Sequence, residues 1–133
     1  MITKNYIKMC EKNEDLQKQW LPIIPDLCIR NHKIRWLLRF TKDIFEIDKN
    51  IDKWLPTQEQ LQEMVLKDID DLEVSFTNKD ISAIEANIWL KKDGKWDSFE
   101  PLFADNWNTL WLQIYMLMKY SKTWTGETWE VAK

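Results

Sequence analysis

The chain has 133 residues, 44% of them apolar and 31% charged, and a net charge of −3. A chain of this length buries roughly two-thirds of the surface it exposes when unfolded, which predicts one domain over 1–133 needing no staple. Two glycines exclude a glycine-rich phosphate loop, and the longest apolar run, Leu110 to Met118, is too short to cross a bilayer. The charge is unevenly spread. Residues 26–42 hold five bases against Asp26 alone, while 43–106 hold sixteen acids against seven bases. Such an acidic middle argues against a general nucleic-acid coat.

The first segment, "TKNYIKMCEKNEDLQKQW", has helical spacing. Ile2, Tyr6, Met9, Cys10, Leu16 and Trp20 share one side of a 3.6-residue wheel. Thr3 is a candidate cap. Asn13, in the middle of the apolar side, is expected to be a buried amide satisfied by backbone. "LPIIPD" ends the helix, because a residue before proline is pushed out of the helical region. No apolar segment follows Lys4 and Lys8 as a secretory leader would have it, so a reduced cytosolic state is expected for Cys10 and Cys28.

In "DLCIRNHKIRWLLRF", Ile34, Trp36, Leu38 and Phe40 alternate with Arg35, Leu37 and Arg39, the period of a half-buried strand. Leu27 and Ile29 suit a partner strand, with Asn31, His32 and Lys33 near the turn. "IFEI" and "IDKWL" read as further short strands of a meander.

"WLPTQEQLQEMVL" opens a helix. Thr57 and Gln60 have the spacing of a capping box, and Leu61, Met64 and Val65 supply a buried face. "KDIDDLEVSFTNKD" fits either a strand, through Leu72, Val74 and Phe76, or an extension of that helix. "DISAIEANIWLKKDG" reads as a helix through Ile81, Ile84 and Ile88, stopped by Gly94. The rival reading is a hairpin turning at Asp93-Gly94.

The last helix is expected from about Asp105 to Ser121. Trp107, Leu110, Trp111, Ile114, Leu117 and Met118 form a broad stripe, which predicts that Trp107 and Trp111 are core. Leu112 and Met116 stand on the other side. A helix apolar nearly all round is buried between layers or against a partner. "KTWTGETW" then turns at Thr125-Gly126, with Trp124 and Trp129 on its arms. Together these elements predict an α+β fold. It has an N-terminal helix, a small antiparallel β-meander, and two or three C-terminal helices with the last helix central.

Three segments also carry a resemblance. Tyr6 to Lys12 has the pattern Tyr-x-x-Met-Cys-Glu-Lys, and Trp54 to Gln62 that of Trp-Leu-Pro-x-Gln-x-Gln-Leu-Gln. Leu110 to Leu112 and Lys122 to Trp129 add Leu-Trp-Leu and Lys-x-Trp-x-Gly-x-x-Trp. Their order and spacing resemble a family of small uncharacterised proteins of phages and prophages of low-GC Gram-positive bacteria. Relatives tend to have Gly-Asp where this chain has Pro25-Asp26. The resemblance implies a phage or prophage origin and a place in the bacterial host cytoplasm. It implies no activity and no catalytic residue.

Chemistry is sparse. One histidine, His32, removes most acid–base schemes. Cys28 and His32 would need Cys10 and a carboxylate to complete a zinc site, so a solvated turn histidine is expected. Asp68, Asp70, Asp71 and Glu73 lack the glycine and closing glutamate of a calcium loop and read as solvated surface. Gln58, Gln60 and Gln62 are explained by helix formation and capping, although glutamine can read adenine. No cofactor, metal or catalytic residue is expected. The leading expectation is a non-catalytic accessory protein that binds a protein partner or itself, with Leu112, Met116, Trp124 and Trp129 as candidate interface residues. The alternative is a nucleic-acid-associated protein using Arg30, Lys33, Arg35, Arg39 and Lys42, binding weakly at most.

Overall fold

The computed structural model describes residues 2–20, 26–36, 51–80 and 83–132, side chains excepted at positions 35, 36, 79 and 80. The protein is α+β, with four helices and antiparallel sheets among the described residues. Residues 2–57 with 124–129 form one compact unit, and 58–123 with 130–133 form the other.

In the first unit the expected N-terminal helix is two helices, α1 (Lys4–Glu11) and α2 (Glu14–Lys18). Thr3 caps α1 by accepting from the Tyr6 amide at 3.1 Å. The break comes at Asn13, whose side-chain oxygen accepts from the Leu16 amide at 3.0 Å and starts α2. Asparagine offers the backbone this local alternative to a continuous helix, which apolar spacing alone does not reveal. The amide is buried, as expected. Its Nδ2 lacks a partner among the described residues. Tyr6, Met9, Cys10, Leu16 and Trp20 are all buried.

These helices accompany a three-stranded sheet of β1 (Leu27–Arg30), β2 (Lys33–Trp36) and β3 (Lys53–Trp54), in the order β2-β1-β3. β1 and β2 turn at Asn31 and His32, both with positive φ, the two-residue turn that matches strand twist. β3 pairs with β1, not β2. The expected extension of the second strand through Leu38 and Phe40, and the expected "IFEI" strand, lie outside the described residues.

Gln17 ties helix to sheet. Its Nε2 donates to the Cys10 and Trp54 carbonyls, each at 3.0 Å, and its Oε1 accepts from the Trp54 amide at 2.7 Å. The Tyr6 hydroxyl donates to the Pro56 carbonyl, and the Trp20 indole stacks on Trp54 with centroids 6.5 Å apart. The Trp20 N–H donates to buried Asp26 at 2.9 Å. Burial pushes the Cys10 thiol well up from its ordinary value, so this cysteine is a small apolar core residue rather than a nucleophile in waiting.

The second unit begins with α3 (Gln58–Asp68), directly after Thr57, and buries Leu61 and Val65. Asp71 adopts positive φ and the chain enters β4 (Leu72–Asp80), so the open reading of 68–77 resolves as strand from Leu72 onward, with Asp68 ending α3. The helix expected around Ile81, Ile84 and Ile88 is instead β5 (Ala83–Lys92). It pairs along most of its length with β4 and turns at Asp93-Gly94 into β6 (Lys95–Ser98). Residues four apart share a face in a helix and also in a strand, so Ile84 and Ile88 fit both. The turn decides. Asp93 and Gly94 have φ of 51° and 77°, the two successive positive values of a tight hairpin turn.

β7 (Leu102–Ala104) pairs with β5 beside β6. Then α4 (Trp107–Tyr120) packs against α3, β7 and β5. Asn106 caps it by accepting from the Thr109 amide at 2.9 Å, and Ser121 ends it in the left-handed conformation. Leu110, Leu112, Ile114, Tyr115 and Met116 are all buried, so α4 is covered on more than one side, as expected of a central helix. Trp107 departs from expectation. As the first helical residue it escapes the core, and it stays 38% exposed.

The chain closes in a hairpin of β8 (Lys122–Trp124) and β9 (Trp129–Val131). The Thr125 hydroxyl accepts from the Thr128 amide at 3.1 Å, holding the turn.

Candidate protein-binding surface

The sheet of the second unit has two unlike faces. Register sets Phe76 opposite Ala86 and Ala86 opposite Leu102, with Val74 opposite Ile88. Directly opposed residues share a face, so this is the apolar one, and Ala86 and Ile88 are buried on it. The other face carries Ser75 opposite Asn87, Trp89 opposite Ser98, Lys91 opposite Trp96, and Glu85 opposite Phe103. A solvated sheet face is normally polar. This one buries Glu85 at one end and exposes three large rings, Trp89 at 36%, Trp96 at 48% and Phe103 at 53%. Lys91 Nζ lies 6.0 Å from the Trp96 ring centroid, where a cation is held by the ring's negative face.

A second exposed aromatic group lies in the same unit. Phe76 meets Trp107 edge-on, with ring centroids 5.0 Å apart, and Trp111 at 5.5 Å. Phe76 is also exposed. The Trp111 indole nitrogen is buried with no partner among the described residues.

The expected interface residues fall elsewhere. Leu112 and Met116 are fully buried and present no surface. Trp124 and Trp129 are half-buried against each other, with centroids 5.3 Å apart. The Trp129 N–H donates to the Met9 carbonyl at 2.8 Å, and Lys8 pairs with Glu127 at 2.7 Å. The Lys8 ammonium holds the Glu127 carboxyl below its ordinary range. These contacts make the two tryptophans a clasp on α1.

Of the expected nucleic-acid residues, the side chains of Arg30 and Lys33 are among those described. Arg30 makes a two-pronged ion pair with buried Asp52, its Nε donating to Oδ1 at 2.5 Å. Lys33 is exposed. The Arg35 side chain, Arg39 and Lys42 lie outside the described residues. With Arg30 already matched, DNA or RNA affinity is expected to be weak, releasing few counterions. It should collapse between about 50 and 200 mM salt in a fluorescence titration. Sequence-dependent binding that survives the higher salt would reverse this expectation.

Other places hold little chemistry. Glu11, Glu14, Gln17, Lys18 and Lys53 line an open depression of about 210 Å³, below the usual range of small-molecule clefts. Its amide, Gln17, is already committed to three backbone groups. Asp68 accepts from Lys119 at 2.7 Å, which raises the Lys119 pKa above its ordinary value, while Asp70, Asp71 and Glu73 are exposed. Among the described residues no group of three or more His, Cys, Asp or Glu could hold a metal ion. Nor is any helix there long and apolar enough to cross a membrane.

The open face was missed in the sequence at its central strand. Reading 80–94 as a helix hid the alternation Asn87, Trp89, Lys91, which puts these residues on one side of a strand. Comparison of the chain with protein-family models, with curated proteins and with solved structures gives no match.

Proposed function

We propose that the chain is a non-catalytic phage or prophage accessory protein that acts by binding a protein partner. The observation that carries the binding reading is the exposed rings of the second unit: Trp89, Trp96 and Phe103 on the open sheet face, and Phe76 with Trp107 on the opposite face. Several exposed rings on one small sheet mark a contact surface, and tryptophan is enriched where binding energy concentrates. The non-catalytic reading is supported by a cysteine sealed in the core and by a sole histidine set in an exposed turn. The phage assignment rests on the Trp54 to Gln62 box and the Lys122 to Trp129 tail.

The test is a paired substitution, Trp96→Ser with Phe103→Ser. Both positions are exposed, so the melting temperature should stay within a few degrees of the parent. The parent protein should retain a defined partner from infected-cell extract, and the double variant should lose it. Equal retention by both proteins would remove the open face from the binding surface.

A further inference from the structure

We propose that the outer edge of β4 takes up an extended segment of a protein partner as an added antiparallel strand. A basic residue of that segment stands opposite Glu73, and a large apolar residue stands opposite Phe76. This deepens the protein-binding reading and rests on it.

The hydrogen-bond pattern identifies the open edge. The Lys91 amide donates to the Asp71 carbonyl at 3.0 Å, one step beyond the Leu72–Leu90 pair. Bonded and non-bonded pairs alternate in an antiparallel ladder, so residues 71, 73, 75 and 77 bond toward β5. Residues 72, 74, 76 and 78 turn their amides and carbonyls outward. The far side of β5 agrees, since even-numbered Ile88 accepts from the Phe99 amide at 3.0 Å. Among the described residues β4 pairs with β5 alone. Glu73, Ser75, Phe76, Thr77 and Asn78 are all exposed. An edge of this length that no described strand covers is a template for strand addition.

Side chains select the occupant. On the apolar face, Phe76 and Trp107 are exposed against each other at the edge. An incoming side chain opposite Phe76 would stand about 4.5–5.5 Å from it, Cβ to Cβ, and meet both rings. On the solvent face the edge carries Glu73, and Asp70 and Asp71 are exposed just before it. That end of the strand therefore attracts a cation. Positions 73 and 76 lie on opposite faces three residues apart, so the occupant reads basic and apolar at the same separation. The ladder shifts register between Asn78 and Asp80, which limits uptake to about five or six residues. A second copy fits less well. Antiparallel self-pairing about Phe76 would set Glu73 against position 79, which falls in the register shift between Asn78 and Asp80 where the regular ladder ends.

The probe is a fluorescein-labelled peptide with the core Thr-Leu-Thr-Val-Lys flanked by serines, paired with one carrying Glu in place of Lys. Anisotropy titration should show the Lys peptide binding about fivefold tighter. Glu73→Lys should invert that preference. Because Val74 points its N–H outward, Val74→Pro should weaken both peptides about tenfold while far-UV circular dichroism is unchanged. Should Val74→Pro unfold, the exposed Glu73 charge swap still decides. Equal affinity for both peptides, no binding of either, or a preference that survives Glu73→Lys overturns the proposal. Binding lost in Trp96→Ser with Phe103→Ser but indifferent to Glu73 moves the contact to the open face, which sinks this inference and leaves the protein-binding reading standing. A doubled mass by light scattering, halved by Val74→Pro, assigns the edge to a second copy and likewise overturns it.

Discussion

Replacing Leu112 and Met116 together with glutamate is expected to unfold the protein. Both side chains are fully buried on α4, as are their neighbours Leu110, Ile114 and Tyr115. An unpaired carboxylate at such a position costs several kcal/mol even after its pKa shifts to neutralise it. Two of them rival the about 5–15 kcal/mol that holds a domain of this size together. Circular dichroism should show lost helix and strand at 25 °C. The conservative pair Leu112→Met and Met116→Leu should cost less than about 1.5 kcal/mol each, because volume is kept. A glutamate variant that stayed folded while falling from dimer to monomer would instead place these residues at a self-association surface. One that stayed folded at unchanged mass would place them in open solvent.

That burial bears on how far the sequence could be read. Helix ends marked by side-chain chemistry were legible: Thr3 at α1, the start of α3 after Thr57, and the stop of α4 near Ser121. So was the two-sided character of α4, because apolar residues all round a helix have one physical outcome. The Asn31-His32 turn was legible from local preference as well. What failed was periodicity where two periods coincide. Ile84 and Ile88 satisfy helix and strand alike, and only the pairing of β4 with β5 across many residues resolves them. Trp107 failed for a related reason. A wheel assigns direction but not depth, and the first residue of a helix can point inward yet lie at the rim of the layer. The candidate surface depends on both errors, since its rings lie on the misread strand, on the hairpin beyond it, and at the rim.

Arg30→Ala is expected to cost about 3 kcal/mol, the low end of the range for breaking a buried ion pair. The carboxylate of Asp52 is fully buried, while the Arg30 side chain keeps 22% exposure, which is why the low end applies. Two effects add. The substitution removes charge-assisted hydrogen bonds to both Asp52 oxygens, and it leaves a buried carboxylate without its guanidinium. Arg30→Lys should recover only part of the loss, because an ammonium cannot reproduce the planar two-pronged fit. Urea denaturation gives the comparison. The decisive variant is Arg30→Met with Asp52→Leu, which removes both charges and keeps apolar volume. Buried pairs replaced in this way often lose nothing, so the double variant should be more stable than Arg30→Ala. If it is less stable than Arg30→Ala, Asp52 is held by its other neighbours and the pair is not what fixes β1 to the chain before β3. If it matches or exceeds the parent, the pair has been kept for geometry rather than stability. It would then fix the register in which Ile29 meets Lys53 and Cys28 meets Trp54, and amide exchange of β3 should quicken although the melting temperature holds.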